Sequence, residues 1–109
     1  MRDQIVIVNL DPTIGHEIQK TRPCLIVSPD EMNTVLSTVM IVPLTSVERK
    51  IPTRILISAS EKSGLVKNSY AALDQLKTVD KMRIQKVIGE ISPAEKEQIS
   101  RILIEMFTR

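Results

Sequence analysis

The chain has 109 residues and a mass of 12.3 kDa, which is the size of one domain, residues 1–109, with a modest core. Its single cysteine excludes an internal disulfide, and no apolar run approaches the ~20 residues of a membrane span, so we expect a cytoplasmic protein that binds no membrane. A formal charge of +2 permits an anionic partner without demanding one. Tyr70 and Phe107 are the only aromatic residues, which removes base stacking as the usual means of binding single-stranded nucleic acid.

Short apolar runs rich in β-branched residues predict about six strands. We place them, in chain order, at residues 5–10, 24–28, 35–44, 52–58, 69–79 and 86–91. Residues 29–33 predict a turn or a single helical turn with Ser28 as its cap, and residues 80–84 predict a second short helical turn.

The end of the chain predicts a helix. Ser92, Pro93 and Glu95 form a capping box with proline at the first helical position, and an apolar stripe follows at helical spacing. The stripe consists of Ile99, Ile102, Leu103 and Met106; Ile104 and Phe107 either widen it or face a partner chain. The fold class is therefore mainly β with a C-terminal helix, as a small, mostly antiparallel, partly closed barrel with the helix packed against it.

The polar segment 11–21 precedes the second strand and is either a functional loop or a plain connection. Pro23 pushes Arg22 toward an extended backbone at the head of that strand. A guanidinium held there suits phosphate binding, although an arginine that merely solvates a strand end has the same appearance. Cys24 lies in the apolar strand, and we interpret it as a small buried hydrophobic residue.

Other polar residues stand next to predicted strands. Thr45 and Ser46 follow a buried strand, where their hydroxyls either satisfy the turn or contact a ligand. Asp74 lies in a segment that enters the core, so its carboxylate is either a paired structural group or a catalytic one. His16 has a side chain of the type that suits acid–base work near neutrality, or is a surface residue. The scattered acids, one His and one Cys supply no metal-ligand spacing, so we expect neither metal nor cofactor.

Several motifs occur in an order that resembles the MazF/PemK family of toxin endoribonucleases from bacterial toxin–antitoxin modules. They are Leu10-Asp11-Pro12-Thr13 with Gly15-His16-Glu17, Thr21-Arg22-Pro23 before Leu25-Ile26-Val27-Ser28, Val42-Pro43-Leu44-Thr45-Ser46, Asp74-Gln75 with Lys77-Thr78-Val79-Asp80, and Ile88-Gly89. The resemblance runs nearly end to end. It implies an SH3-like barrel of the CcdB/MazF/PemK type, assembled as a homodimer.

The resemblance also implies sequence-specific cleavage of single-stranded RNA, including mRNA, without a metal and by attack of the ribose 2′-hydroxyl. The implied catalytic residues are Arg22, Thr45, Asp74 and His16, with Asp74 as the base or a group that orients it. The implied RNA-binding residues are Glu17, Lys20, Ser46, Arg54, Gln75, Lys77 and Thr78. Glu17 is equally placed to neutralise Arg22 in the empty site, and the three cations among these residues are alternatively plain solvated charges.

The resemblance further implies a MazE-like antitoxin, an acidic and partly disordered chain that occupies the basic site. Two other functions stay open at this point. CcdB-like toxins use the same barrel to bind DNA gyrase and cut nothing, and a catalytically silent member would only bind antitoxin or RNA. The Arg-Pro and Thr-Ser pairs favour the nuclease.

Overall fold

An antiparallel sheet of seven strands forms the body of the molecule in the computed structural model, which describes residues 1–109. The strands are β1 (Gln4–Asn9), β2 (Thr21–Ile26), β3 (Thr38–Thr45), β4 (Arg54–Ile57), β5 (Ser69–Ala72), β6 (Lys77–Asp80) and β7 (Ile84–Glu90). The helices are α1 (Asp30–Val35) and α2 (Pro93–Phe107), and 3₁₀ turns occupy Leu73–Gln75 and Lys81–Arg83. Neither helix combines the length and the apolar character that crossing a membrane requires.

The strand order is β4-β5-β3-β2-β1-β7, with β6 beside β5 on the same edge of β3. Every pairing is antiparallel, as predicted. β3 organises the sheet, because it pairs with β2 along one edge and with both β5 and β6 along the other. The sheet stays open between its outer strands, β4 and β7.

Side chains alternate across the strands and build two separate cores. The helix-side core contains Ile5, Leu25, Val42, Leu44, Ile55, Ile57, Leu65, Ala71, Leu73, Ile91 and Ile99. The loop-side core contains Val6, Val8, Leu10, Cys24, Ile26, Val39, Ile41 and Val79. Neighbouring residues of one strand, such as Cys24 and Leu25 of β2, therefore belong to different cores.

The predicted C-terminal helix is confirmed, including its start. The Ser92 hydroxyl accepts from the Glu95 backbone N–H at 3.2 Å, and the Glu95 carboxylate accepts from the Ser92 N–H at 2.9 Å. Ile99 is buried in the helix-side core, and the rest of the predicted stripe packs against that core. Ile104 and Phe107 do not widen the buried stripe, since they are 66% and 70% exposed.

Most strand boundaries differ from the prediction by one to three residues, and β3 begins at Thr38 instead of residue 35 because Val35 ends α1. β2 begins at Thr21, because residues 21–23 pair with β1, so Arg22 lies within the strand. Residues 69–79 form two strands, because the 3₁₀ turn Leu73–Gln75 carries the chain from β5 to β6. Ser28 does not cap α1: its hydroxyl donates to Asn33 and accepts from the Met40 N–H.

Two glycines allow the turn 60–64 to pack backbone to backbone against β7. A Cβ on Gly89 would lie 2.3 Å from the carbonyl carbon of Ser63, and one on Gly64 would lie 2.0 Å from the Ile88 carbonyl oxygen. The Glu90 N–H donates to the Lys62 carbonyl at 2.9 Å across the same contact. The Ile88-Gly89 motif therefore has a structural explanation at the edge of the sheet.

Candidate active site

The register of β2 and β3 places Arg22 and Thr45 at the same end and on the same face of the sheet. Cys24 of β2 pairs with Pro43 of β3. Two residues further toward this end are Arg22 on β2 and Thr45 on β3, and positions two apart share a face. The ladder between β2 and β3 ends at Cys24 and Pro43, so Arg22 and Thr45 extend the two strands at this end without forming a paired position. They line two separate cavities at this end of the sheet.

Both side chains keep hydrogen-bonding capacity in the site. Arg22 is half-buried, its Nε donates to the Gln19 carbonyl at 2.9 Å, and its two terminal nitrogens have no carboxylate partner. Thr45 is 8% exposed, and its Oγ1 accepts from the Val47 N–H at 3.1 Å. The Thr45 hydroxyl therefore satisfies a backbone N–H of the turn, which is one of the two roles that the sequence allowed. The Thr45 hydroxyl proton is still available for a ligand oxygen.

Three cavities lie around this end of the sheet. The Lys77 cavity, of about 370 Å³, is lined by Ile14, His16, Glu17, Ile18, Pro43, Asp74, Gln75, Leu76 and Lys77. The Thr45 cavity, of about 460 Å³, is lined by His16, Ile18, Thr45, Val47, Arg49, Arg54 and Gln75. The Arg22 cavity, of about 250 Å³, is lined by Arg22, Pro23, Leu44, Ser46, Leu65, Val66, Lys67 and Ser69. Most of the residues singled out from the sequence therefore line one of the three.

Asp74 and Arg54 hold each other in a two-point ion pair. Arg54 Nε lies 2.7 Å from one carboxylate oxygen and Nη2 lies 2.9 Å from the other, while the Thr53 hydroxyl donates to the first at 3.0 Å. The Arg54 bonds and the Thr53 bond hold the pKa of Asp74 below its ordinary range. This arrangement matches the structural alternative for Asp74, because a carboxylate that is hard to protonate is a weak base. The Arg54 guanidinium is likewise occupied by Asp74, and its side chain is only 7% exposed.

The loop between β1 and β2 brings His16 to the cleft. His16 is exposed and lines both the Lys77 cavity and the Thr45 cavity. Glu17 does not neutralise Arg22: its carboxylate accepts from the Ile14 N–H at 3.1 Å and makes no ion pair. Lys20 is exposed on the final residue of the loop, with a left-handed backbone at φ 71°.

The other predicted RNA-binding residues separate into two groups. Gln75 and Lys77 line the Lys77 cavity, and Ser46 lines the Arg22 cavity. Thr78 is not brought to the site, because alternation along β6 places Lys77 and Val79 on the loop side and Thr78 on the opposite face.

Cys24 lies beneath the site, and the cations of the site affect the pKa of its thiol. The thiol is fully buried, and burial raises its pKa to about 12 even though the Arg22 and Lys77 cations oppose the shift. The interpretation of Cys24 as a buried hydrophobic residue is confirmed. The two cations that act on its thiol also mark one positively charged face of the sheet.

Two cations at the cleft were missed in the sequence. Arg49 lines the Thr45 cavity and Lys67 lines the Arg22 cavity, and neither makes an ion pair. The polar loop that directly follows Thr45-Ser46 contains Arg49, so its position after a candidate hydroxyl pair was the available indication. Nothing local marks Lys67, which reaches the site through the fold of the 58–68 segment. No three His, Cys, Asp or Glu side chains lie together in a way that could hold a metal ion.

An open antiparallel sheet with a C-terminal helix and a cationic cleft is the architecture of the MazF structural class. The chain superposes on MazF from Deinococcus radiodurans with a TM-score of 0.80 at 23% identity, covering 96% of this chain and 93% of that one. It superposes on a mycobacterial endoribonuclease in complex with its cognate antitoxin with a TM-score of 0.79 at 27% identity, covering 96% and 91%. These likenesses confirm the predicted fold class.

Sequence comparison gives the family. Residues 1–107 match the model of the PemK-like, MazF-like toxin of type II toxin–antitoxin systems. Endoribonuclease MazF9 of Mycobacterium tuberculosis is 32% identical over 108 residues, which cover 94% of this chain and 91% of that protein. Endoribonuclease PemK of Escherichia coli is 38% identical over 79 residues, which cover 72% and 59%. The chain belongs to this family of toxins.

Proposed function

We propose that the chain is an endoribonuclease toxin that cuts single-stranded RNA at the end of the sheet where Arg22 and Thr45 meet. The observation that carries the proposal is the β2–β3 register, which places at one end of the sheet a guanidinium without a carboxylate partner and a hydroxyl with a free proton. Relatives named as endoribonucleases support it. In this proposal a bound phosphodiester accepts hydrogen bonds from both groups through its non-bridging oxygens.

In the proposed reaction the ribose 2′-oxygen attacks phosphorus, and the bond from phosphorus to the 5′-oxygen breaks. The products are a 2′,3′-cyclic phosphate and a 5′-hydroxyl. Charge grows on the non-bridging oxygens in the transition state, where Arg22 and Thr45 stabilise it by donating hydrogen bonds. His16 takes the proton from the 2′-hydroxyl and returns it to the departing 5′-oxygen, because Asp74 is committed to Arg54 and His16 is the imidazole at the cleft. Asp74 then positions Arg54 as part of the cleft wall.

The substrate backbone follows the cations that have no counter-ion. Arg22, Arg49, Lys67 and Lys77 line the three cavities without an ion pair, and their attraction for phosphates is strongly salt-dependent. Gln75 and Ser46 add polar contacts at the same cavities. Lys20 contributes from the exposed end of the loop, whereas Arg54 contributes little, because Asp74 already neutralises it.

We also propose a cytoplasmic homodimer that a MazE-like antitoxin inhibits. The open sheet edges and the exposed Ile104 and Phe107 leave apolar surface that a second copy would cover. A structural relative occurs in complex with its cognate antitoxin. An acidic antitoxin segment would compete with RNA for the same unpaired cations.

The test is cleavage of a long single-stranded RNA by the purified full chain, with DNA of the same sequence as the control. We expect RNA alone to be cut, at defined sequences, with full activity in excess EDTA and with 2′,3′-cyclic phosphate ends. Loss of activity on chelation would overturn the metal-free mechanism. Intact RNA together with inhibition of gyrase would instead identify a CcdB-like toxin, and intact RNA with binding alone would identify a silent member.

A further inference from the structure

The loop between β1 and β2 is closed at its neck by several hydrogen bonds. The Leu10 N–H donates to the Lys20 carbonyl at 3.1 Å, and the Lys20 N–H donates to the Asp11 carboxylate at 2.9 Å. The Arg83 guanidinium donates to the carbonyls of Asn9 and Asp11 at 3.1 and 2.5 Å. The neck therefore has its own support, independent of the loop's tip.

The tip of the loop has far fewer connections to the rest of the molecule. Among residues 12–19, the Ile18 N–H donates to the Gln75 carboxamide oxygen at 2.8 Å, and the Gln19 carbonyl accepts from Arg22. Their other hydrogen bonds stay within the loop. Gln75 is thus the residue outside β1, β2 and their connection that hydrogen-bonds to the tip, across 57 positions of sequence, and the Ile18 side chain also packs against the loop-side core.

Gln75 stands on a rigid base. It ends the 3₁₀ turn Leu73–Gln75, whose Leu73 is fully buried and donates its N–H to the Thr53 carbonyl at 3.0 Å. Its neighbour Asp74 is fixed by the ion pair with Arg54. Since the Ile18 N–H requires an acceptor, the carboxamide oxygen faces the loop and its NH₂ group faces away from it.

The contact also lies between two cavities. His16, Ile18 and Gln75 line both the Lys77 cavity and the Thr45 cavity. Breaking the bond between Ile18 and Gln75 would leave the tip held mainly by the packing of the Ile18 side chain against the loop-side core. The bond and this packing together therefore fix where His16 lies relative to Thr45.

We propose that Gln75 is a positioning residue, whose carboxamide latches the β1–β2 loop across the cleft and holds His16 beside Thr45 for the RNA cleavage proposed above. The inference rests on that proposed function for its catalytic part. The latch itself is a property of the loop and can be measured without RNA.

Three substitutions of Gln75 test the latch by amide hydrogen exchange in the full chain. Gln75→Leu removes the acceptor at similar size, and Gln75→Asn withdraws it by one methylene. We expect both to raise the exchange rate of the Ile18 amide by about tenfold, the effect of losing one hydrogen bond. Gln75→Glu keeps an acceptor and should retain slow exchange. Gln98→Leu, the same change on the exposed face of α2, should alter nothing at Ile18.

A double-mutant cycle with His16→Ala tests whether the latch acts through His16. At saturating RNA, where a weaker contact between Gln75 and RNA no longer affects the rate, we expect Gln75→Leu to lower the single-turnover rate of cleavage in a protein that stays folded at the assay temperature. The same substitution should lower that rate no further once His16 is alanine. Rate losses that multiply would overturn the positioning role, and unchanged Ile18 exchange in Gln75→Leu would overturn the latch. A wild-type protein that cuts no RNA would overturn the proposed function and with it the catalytic part, whereas the latch would still stand or fall on the exchange rates.

Discussion

Arg22 and Arg54 are the two arginines that lie in strands and line the cleft, yet they have opposite environments. Arg54 is 7% exposed at its side chain and bound at two points by Asp74. Arg22 donates through Nε to a backbone carbonyl, and no carboxylate opposes its charge. One guanidinium is part of the wall of the cleft, and the other is available to a ligand.

The contrast teaches that the counter-ion, and not the residue type, decides which cation serves an anionic substrate. A guanidinium saturated by a carboxylate has little capacity left for a phosphate, and removing it leaves an uncompensated acid. A guanidinium with free terminal nitrogens can bind two phosphate oxygens at once. Substitution of the two arginines should therefore separate activity from stability.

The largest effect is expected for Arg22→Ala. Loss of a donor that faces developing charge should lower single-turnover cleavage of RNA by roughly 100- to 1000-fold, while the melting temperature stays close to wild type. The cleavage rate of Arg22→Lys should lie between those of wild type and Arg22→Ala, since lysine keeps the charge but not the planar guanidinium. Arg101→Ala, which removes an exposed arginine on α2, serves as the control. Cleavage by Arg22→Ala at nearly the wild-type rate would remove this residue from the reactive pair.

Arg54→Ala should show the reverse pattern. It leaves the partly exposed Asp74 carboxylate without its counter-ion, so we expect the free energy of unfolding to fall by about 1–2 kcal/mol. Cleavage should fall much less than in Arg22→Ala at a temperature where both variants are folded. Urea unfolding of Arg54→Ala, Asp74→Asn and the double variant measures the coupling between the two residues. Full additivity would mean that the ion pair contributes nothing to stability.

The same pair predicts a dependence of stability on acid. The folded-state pKa of Asp74 is lower than its ordinary value of 3.8, chiefly because of the bond to Arg54. Its contribution is therefore present above the unfolded-state pKa and disappears as pH falls through the lower folded-state value. The stability difference between wild type and Asp74→Asn should be constant near neutrality and shrink below about pH 4. Denaturation curves along a pH series in which the gap widened in acid would contradict this assignment.

Local patterns predicted the elements that depend on neighbouring residues. Ser92 and Glu95 begin α2 as expected, because a capping box is complete within four positions. The two-strand division of residues 69–79 was not accessible in the same way, because Asp74 and Gln75 take their places through Arg54 and Ile18, which are 20 and 57 positions away. Pairings at such separations are set by the packed sheet.

The site residues also divide into those that local sequence identifies and those that depend on contacts distant in sequence. Arg22 and Thr45 were identified from their places at the ends of strands, and the antiparallel register then brought those ends together. The neutralisation of Arg54 could not be foreseen from sequence, because Arg54 and Lys77 look alike as isolated cations beside strands. Only the fold shows that Lys77 faces the cleft without an ion pair while Arg54 does not.

The smallest expected effect concerns Arg49, which lines the Thr45 cavity and has no ion pair. If Arg49 contacts one phosphate, Arg49→Ala should reduce the steepness of the plot of log affinity against log salt by about 0.7, the value for one contact to a single strand. The double variant Arg54→Ala/Asp74→Asn removes the ion pair without leaving a free carboxylate, so it should leave that slope unchanged. RNA titrations of an uncleavable deoxy-substituted strand across a salt series give both slopes. Equal changes of slope in the two variants would mean that Arg54 exchanges Asp74 for phosphate when RNA binds, and the contrast between unpaired and paired cations would then fail.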